Sequence, residues 1–165
     1  NLGEKINFTM KLQSLLQTKQ DNFYYFNHFQ SPNDIYELSE DEEKDLLDVI
    51  CDSGLFDVVI IDMGVSIDKK TLTIFELSDK IHIIEKIDMV SLEKMKCFLN
   101  QSHILNAYAR KMSRTINFYR GKDSLLQTEI PIIGKINVSQ NPEPAQFIET
   151  IAKDSSSNYL LKLLQ

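Results

Sequence analysis

The sequence predicts an α/β domain: a mostly parallel, doubly wound β-sheet with helices on both of its faces. Apolar runs alternate with stretches of helical periodicity along the 165 residues, which is typical of βαβ units joined by right-handed crossovers. One run, residues 56–62, contains four successive β-branched residues without polar alternation. That pattern indicates a strand buried on both faces of a parallel sheet. We therefore interpret residues 1–165 as a single α/β domain.

Local signals define the elements of the first part of the chain. Phe23–Phe26 is a short aromatic strand candidate, and residues 31–34 after it have the composition of a turn. Ser39 and Glu42 have the spacing of a capping box, so they predict the start of a helix. Residues 53–54, Ser-Gly, predict its end.

The strand candidate at 56–61 follows, and we expect it to be central in the sheet and nearly fully buried. A Val-Val-Ile-Ile run at an exposed edge would invite aggregation. Downstream, the alternation predicts a helix around Leu72–Leu77, a strand at Ile81–Ile84 and a helix from Ser91 to Leu99. Two further strands and two short helices complete the prediction, at residues 114–118, 132–136, 145–152 and 158–164.

Composition argues against several classes of protein. No apolar run approaches the roughly 18–20 residues of a membrane span. Cys51 and Cys97 are far apart in the sequence, which disfavours a disulfide framework or a zinc site. The net charge of −6 disfavours a nucleic-acid surface, because phosphate binding needs clustered Lys and Arg. We predict a cytoplasmic protein that binds no nucleic acid and contacts a membrane at most peripherally. Because the chain starts Asn-Leu-Gly, we expect the natural polypeptide to extend further upstream.

Asp62 is the most informative polar residue. It directly follows the apolar run and precedes Met63 and Gly64. In open parallel sheets, ligands bind at the carboxyl ends of the strands. A carboxylate at such a place can hold a metal-bound water or orient a nucleophile. The alternative is an Asp that caps the next loop or helix, and the spacing leaves both interpretations open.

The other polar groups have structural interpretations. The three histidines share no ligand spacing with one another or with the cysteines, and His82 is interpreted as a packed or hydrogen-bonded strand residue. The acidic run 40–45 is interpreted as a solvated helix face. Three basic residues suit the carbonyl end of a helix: Arg110, Lys111 and Arg114.

An ordered series of motifs resembles one family. Three stretches look like the middle of the ParA/MinD-type ATPases: residues 56–62, 71–81 and 88–92. Residues 24–26, followed by a Pro-containing turn, are similar to the CpaE/TadZ branch, which is linked to Tad-type pili. Downstream, Asn117 stands where the family has a strand-ending Asn, and residues 133–136 resemble a strand that normally reads Ile-Gly-x-Ile-Pro. The resemblance covers roughly residues 20–152.

The resemblance implies a Rossmann-like sheet of the P-loop NTPase type and a set of site residues. Asp62 matches the acidic residue that holds the magnesium-bound water, and Asn117 matches the residue near the adenine. Gly64 belongs to the same cofactor-binding set. The resemblance also implies a localisation or scaffold protein for Tad-type pilus assembly or polar positioning. Such a protein would be a homodimer that contacts pilus-assembly components and is recruited to the cell pole or inner membrane.

The chain departs from the family in the motif that binds the phosphates of the nucleotide. It contains no G-x-x-x-x-G-K-S/T, and Gly121-Lys122-Asp123 is the nearest approach. The loop after Asp62 also lacks the prolines usual in the family. We therefore expect ATP or ADP and magnesium as cofactors only if an upstream segment supplies the phosphate-binding loop, and otherwise no cofactor. The chain alone should not hydrolyse ATP.

The sequence alone does not decide between three possible functions. The first is the localisation or scaffold protein, and the second is an active Mg-ATPase whose phosphate-binding loop lies upstream. The third is an unrelated doubly wound domain that binds a flavin or a small metabolite, although the glycine-poor strand ends offer it no phosphate-cradling turn.

Overall fold

The computed structural model describes the residues 10–19, 23–26, 38–64, 66–121 and 125–137. The chain forms two compact units, Asn1–Thr73 and Ile74–Gln165. Three predicted elements lie outside the described residues: the turn at 31–34 and the helices at 145–152 and 158–164. The interpretation as a single domain stays a prediction.

The first unit contains an antiparallel pair of strands and helices. Its elements are α1 (helical at residues 10–15), β1 (Leu16–Lys19), β2 (Phe23–Phe26), α2 (Glu40–Asp52) and the start of α3 (Lys69–Leu77). In the strand pair, Leu16 lies opposite Phe26. The aromatic strand is therefore confirmed. Its partner β1 was not predicted, because Leu-Gln-Thr-Lys carries too few apolar residues to show a strand pattern.

Helix α2 begins and ends where the sequence predicts. The Glu42 backbone N–H donates to Ser39 Oγ at 3.3 Å, and the Ser39 backbone N–H donates to Glu42 Oε2 at 2.8 Å. Together these bonds form the predicted capping box. Ser53 caps the carboxyl end, and Gly54 then takes a φ of 69°, which glycine adopts at little cost. Ile50 anchors the helix in the unit's interior, where it is buried.

Residues 56–62 are the main departure from the prediction. No strand forms here among the described residues, and the side chains of 58–61 are 39–79% exposed, with Ile60 the most exposed. The prediction of a central, nearly fully buried strand is therefore wrong for this structure. A β-branched run favours burial, but a strand also needs neighbours that pair with its N–H and C=O groups. Within the described part of the chain, no strand does so.

The second unit is built on a parallel sheet of three strands. In chain order its elements are the end of α3, β3 (Ile81–Lys86), α4 (Met89–Leu99), α5 (Ser102–Tyr108), a 3-10 turn (Ala109–Lys111), β4 (Met112–Tyr119) and β5 (Ile132–Asn137). The strands lie in the order β3-β4-β5, and both neighbouring pairs are parallel. Helices α4 and α5 form the crossover from β3 to β4, as in the predicted βαβ units. This parallel sheet flanked by helices confirms the α/β fold class.

The starts of the helices α4 and α5 differ from the prediction. Helix α4 is capped by Asp88 rather than opened by Ser91, because the Asp88 carboxylate accepts from the Ser91 backbone N–H at 2.9 Å and from its hydroxyl at 2.8 Å. The bond from the Ser91 backbone is the main reason that the pKa of Asp88 lies below its usual range. Helix α5 was not predicted, since Gln101 at its start provides no side-chain cap.

The core of the second unit draws on strands and helices alike. Its buried apolar side chains are Ile74, Ile81, Met95, Ile104, Met112, Ile116 and Ile130. Ile81 and Met112 lie side by side in register on β3 and β4. Met95 is the buried residue that α4 contributes to this core. Each such side chain contributes about 1.5–3 kcal/mol by leaving water. Among the helices that the structure describes, none is long and apolar enough to span a bilayer.

Candidate functional site

The parallel strands of the second unit bring their carboxyl ends to one edge of the sheet. Lys86 ends β3 in register with Asn117 of β4, and Phe118 and Tyr119 complete β4. Lys135 lies near the end of the neighbouring strand β5. Ligands of open parallel sheets bind at this kind of edge. We call these five residues the carboxyl-edge cluster.

A backbone irregularity shapes the end of β4. The register between β4 and β5 shifts between Ile116 and Tyr119, and Phe118 adopts a φ of 57°. The Phe118 backbone N–H donates to Oδ1 of Asn117 at 3.0 Å. A left-handed backbone costs a residue with a Cβ roughly 1–2 kcal/mol and is an outlier for a bulky side chain. Such irregularities redirect side chains and often lie next to sites.

A lysine lies above each aromatic ring of the carboxyl-edge cluster. Lys86 Nζ is 5.0 Å from the Phe118 ring centroid, and Lys135 Nζ is 4.6 Å from that of Tyr119. At exposed positions, such cation–π contacts contribute about 0.5–1 kcal/mol. The Tyr119 hydroxyl donates to the Gly121 carbonyl at 3.1 Å, which holds the chain just beyond β4. This edge therefore carries two lysine–aromatic pairs and the Asn117 amide.

The residues predicted from the sequence belong to both units. Asp62 and Gly64 lie in the first unit, in the segment that forms no strand, and both are exposed. Asn117 lies in the second unit, on β4. A Cβ added at Gly64 would meet no heavy atom within 4 Å, so this glycine forms no close cradle in the structure. The nucleotide roles of these three residues stay predictions, although Asp62 does not end a strand as expected.

The described residues do not form a magnesium site by themselves. No group of three or more His, Cys, Asp or Glu side chains among them could hold a metal ion. Asp62 offers one exposed carboxylate. Because Mg²⁺ usually combines one or two carboxylates with waters and substrate phosphates, Asp62 fits only as a partner, through water, of magnesium that a nucleotide carries.

A buried ion pair in the second unit was not predicted. Arg114 Nη1 donates to Glu85 Oε1 at 3.1 Å, and the two side chains are 2% and 7% exposed. Arg114 Nε and Nη2 also donate to the carbonyls of Ile130 and Leu126, at 3.0 and 3.1 Å. Glu85 Oε2 is buried and has no partner among the described residues. Burial raises the pKa of Glu85, and the Arg114 charge opposes that rise only partly. The prediction that Arg114 suits the carbonyl end of a helix is therefore wrong, because Arg114 is a buried residue of β4.

Lys111 and His82 have the structural roles that the sequence predicts. Lys111 Nζ donates to carbonyls at the carboxyl end of α3, including that of Ser78 at 2.8 Å, where positive charge is favourable. The ring nitrogens of His82 form hydrogen bonds with the hydroxyls of Ser113 and Thr115, at 2.9 and 3.0 Å. Burial lowers the pKa of His82, which is consistent with a hydrogen-bonded strand residue.

Comparison with known proteins bears on the fold. No protein-family model matches the sequence, and no curated protein matches it. Among solved structures, the crystal structure of a ParA family ATPase from Chlorobium tepidum TLS is similar, with a TM-score of 0.66 and 16% sequence identity. The alignment covers 99% of this chain and 74% of that one. The chain has the fold of a ParA-type ATPase. At this level of identity, the likeness shows the fold alone.

Proposed function

We propose that the chain is a localisation or scaffold protein of the CpaE/TadZ kind, within the ParA/MinD family, for Tad-type pilus assembly or polar positioning. One observation carries the proposal: a ParA-type fold occurs in a sequence that contains no G-x-x-x-x-G-K-S/T. Without that loop, phosphates lack their usual anchor of backbone N–H groups and Lys. In this proposal the protein acts through protein contacts, with nucleotide as a state switch or not at all.

Exposed apolar side chains support a role through protein contacts. Val58, Val59, Ile60 and Ile61 form a continuous apolar stretch that the structure leaves exposed in the first unit, and continuous exposed apolar surface marks interaction sites. The proposed partners are a second copy of the chain and pilus-assembly components. The proposed location is the cytoplasm, with recruitment to the cell pole or inner membrane. The net charge of −6 supports a function without nucleic acid.

We propose that the protein binds a nucleotide only if an upstream segment supplies the phosphate-binding loop. ATP or ADP with magnesium would then bind with Asp62 toward the metal-bound water and Asn117 toward the base. The carboxamide nitrogen of Asn117 donates no hydrogen bond to any residue that the structure describes, so it has a donor to offer a base edge. The bound group would supply the charge whose presence or loss sets the state of the protein.

A fluorescent fusion in the organism that encodes the chain tests the localisation role. We expect a focus at the cell pole and loss of Tad-type pili when the gene is deleted. Ile60→Asp should disperse the focus, because it places a charge in the exposed apolar stretch. Ile67→Asp, at another exposed isoleucine of the same unit, is the control. Diffuse fluorescence of the unaltered fusion together with normal piliation would contradict the proposal.

The structural neighbour is an ATPase, which favours a second candidate function. In this alternative, the polypeptide is an active Mg-ATPase whose phosphate-binding loop precedes the chain. The sequence upstream of Asn1 discriminates between the two functions. An intact loop ending in Gly-Lys-Ser or Gly-Lys-Thr, with ATP turnover by the longer polypeptide, would favour the ATPase. A degenerate loop would favour the scaffold.

A further inference from the structure

We infer that the exposed segment 58–61 of one copy of the chain pairs with the free edge of β3 in a second copy, and that the reciprocal contact completes a two-fold dimer. The inference rests on the proposed function, because it names the surfaces through which the chain binds a second copy of itself. Three observations support it: unpaired backbone groups, exposed apolar side chains and matching charges.

Both surfaces have backbone groups that are available to a strand partner. Strand β3 pairs with β4 along one edge, and no strand pairs with its other edge among the described residues. The segment 58–61 has no strand partner in the described part of the chain either. An unpaired strand edge is a template for pairing with another chain, and successive β-branched residues favour the strand conformation. Since one copy leaves both surfaces unpaired, a second copy provides the partner for each.

Apolar side chains are exposed on both surfaces. The side chains of 58–61 are 39–79% exposed, and Ile84 in the middle of β3 is 65% exposed. Ile81, at the start of the same strand, is by contrast buried. Pairing of the two surfaces would bring β-branched side chains side by side, as in other cross-strand pairs. It would also remove apolar surface from water, which is the main driving force of association.

The charges at the ends of the two surfaces are opposite. Asp57 and Asp62 flank the segment 58–61, whereas Lys80 precedes β3 and Lys86 ends it. All four charged side chains are exposed. Opposite charges therefore meet in either strand direction. Pairing of β3 with β3, or of the segment with itself, would instead bring like charges together, so the charges select pairing of the segment with β3.

The surroundings of the two lysines are compatible with this pairing. The Lys86 ammonium lies over the Phe118 ring, but an ammonium has three N–H donors, so this contact leaves donors for a carboxylate. Asp79 and Asp88 lie beyond the ends of β3. They weaken the preference for an acidic partner without placing a negative charge on the strand edge itself.

Sedimentation equilibrium of the 165-residue chain over a range of concentrations tests the inference. The unaltered chain should form a reversible dimer that dissociates on dilution, because each copy contributes only short strands. Ile60→Asp should weaken the dimer about ten-fold or more, since it places a carboxylate within the paired segment. Ile67→Asp, at another exposed isoleucine of the same unit, is the control and should leave the dimer unchanged.

A mixture of two variants distinguishes this exchange from other ways of pairing. Ile84→Asp alters β3 and leaves the segment 58–61 intact, whereas Ile60→Asp does the reverse. Each variant should be mostly monomeric alone. An equimolar mixture should contain a heterodimer, because one of the two reciprocal contacts is intact in it. Ile84 is exposed, so Ile84→Asp should keep the urea midpoint that the dilute unaltered chain shows.

Several results would overturn the inference. One is an unaltered chain that stays monomeric at every concentration, and another is a dimer that Ile60→Asp or Ile84→Asp does not weaken. Loss of the dimer in Ile67→Asp, or a mixture that contains only monomers, would also overturn it. The localisation assay decides the proposed function separately, because the focus is scored in cells whichever partner covers the segment 58–61.

Discussion

Glu85 and Arg114 have unequal surroundings, although they form one ion pair. The Arg114 guanidinium donates to a carboxylate and to two backbone carbonyls. The Glu85 carboxylate has one partner for its first oxygen, and its second oxygen is buried without one among the described residues. Taking a carboxylate out of water costs several kcal/mol unless its oxygens are satisfied. We therefore expect the free-energy cost of burying the Glu85 carboxylate to make the stability of the chain depend on pH.

Replacement of Glu85 by Gln should remove one titration from the unfolding equilibrium. Burial raises the pKa of Glu85 above its ordinary value of 4.5 in the folded chain. At pH values between 4.5 and the raised pKa of the folded chain, Glu85 binds more protons in the folded chain than in the unfolded chain. The free energy of unfolding therefore falls as pH rises through this window. Glu85→Gln does not titrate there. Its free energy of unfolding should therefore rise relative to that of the unaltered chain over the same window, even though it leaves Arg114 without its counter-charge.

Urea denaturation at a series of pH values measures this difference. Glu129→Gln, at an exposed glutamate of the same unit, is the control and should show no comparable trend. A constant difference between Glu85→Gln and the unaltered chain across the window would contradict the assignment.

Hydrogen bonds donated by Arg114 hold the connection from β4 to β5 in place. Besides the two side-chain bonds to Leu126 and Ile130, the Arg114 backbone N–H donates to the Pro131 carbonyl at 2.9 Å. Arg114→Lys keeps the charge but loses the fork that reaches three acceptors at once. We expect a loss of roughly 2–4 kcal/mol in the free energy of unfolding and faster hydrogen exchange of amides in 126–130. Arg110→Lys, at an exposed position, should change neither, and a similarly small effect at Arg114 would refute this role.

The segment 56–61 provides a matched test of burial. Ile60 is exposed in the structure, whereas Ile116 of β4 is fully buried. Ile60→Ala should therefore change the free energy of unfolding by no more than about 0.5 kcal/mol. Ile116→Ala should cost about 2–5 kcal/mol through lost burial and a residual cavity. Chemical denaturation of both variants decides the matter: a cost at Ile60 as large as that at Ile116 would restore the buried strand that the sequence predicted.

The sequence predicts the structural elements that depend on interactions between residues close together in the chain. The capping box of Ser39 and Glu42 and the apolar runs of β3 and β5 depend on neighbours in sequence, and the structure confirms them. The segment 56–61 was misjudged because pairing with another strand is a non-local event that composition does not encode. The Glu85–Arg114 pair joins residues 29 positions apart, and no motif marks it.

The candidate site was predictable to a similar extent. Asn117 was predicted only through the family resemblance, because it stands where the family has a strand-ending Asn. Nothing in Asn-Phe-Tyr, however, indicates that Phe118 adopts a left-handed backbone conformation, in which its N–H donates to the Asn117 side chain. The lysines above the rings follow from strand register, which a single sequence does not fix.

The molecule as a whole combines a ParA-type fold with a sequence that contains no G-x-x-x-x-G-K-S/T phosphate-binding loop. In this fold class, tight nucleotide binding depends on the glycine-rich loop, whose backbone N–H groups and Lys surround the phosphates. In the proposed nucleotide site, Asn117 would contribute only toward the base and Asp62 only toward a metal-bound water. These groups do not replace the phosphate anchor, so the chain by itself should neither bind ATP tightly nor hydrolyse it.

Calorimetry of the 165-residue chain with Mg-ATP, combined with an assay for released phosphate, tests this central claim most directly. Asp62→Asn serves as the matched variant, because it removes the one carboxylate assigned to the metal-bound water. We predict no low-micromolar binding and no turnover above background for either protein. Low-micromolar binding, or turnover that Asp62→Asn abolishes, would contradict the account and show that this chain carries its own phosphate anchor.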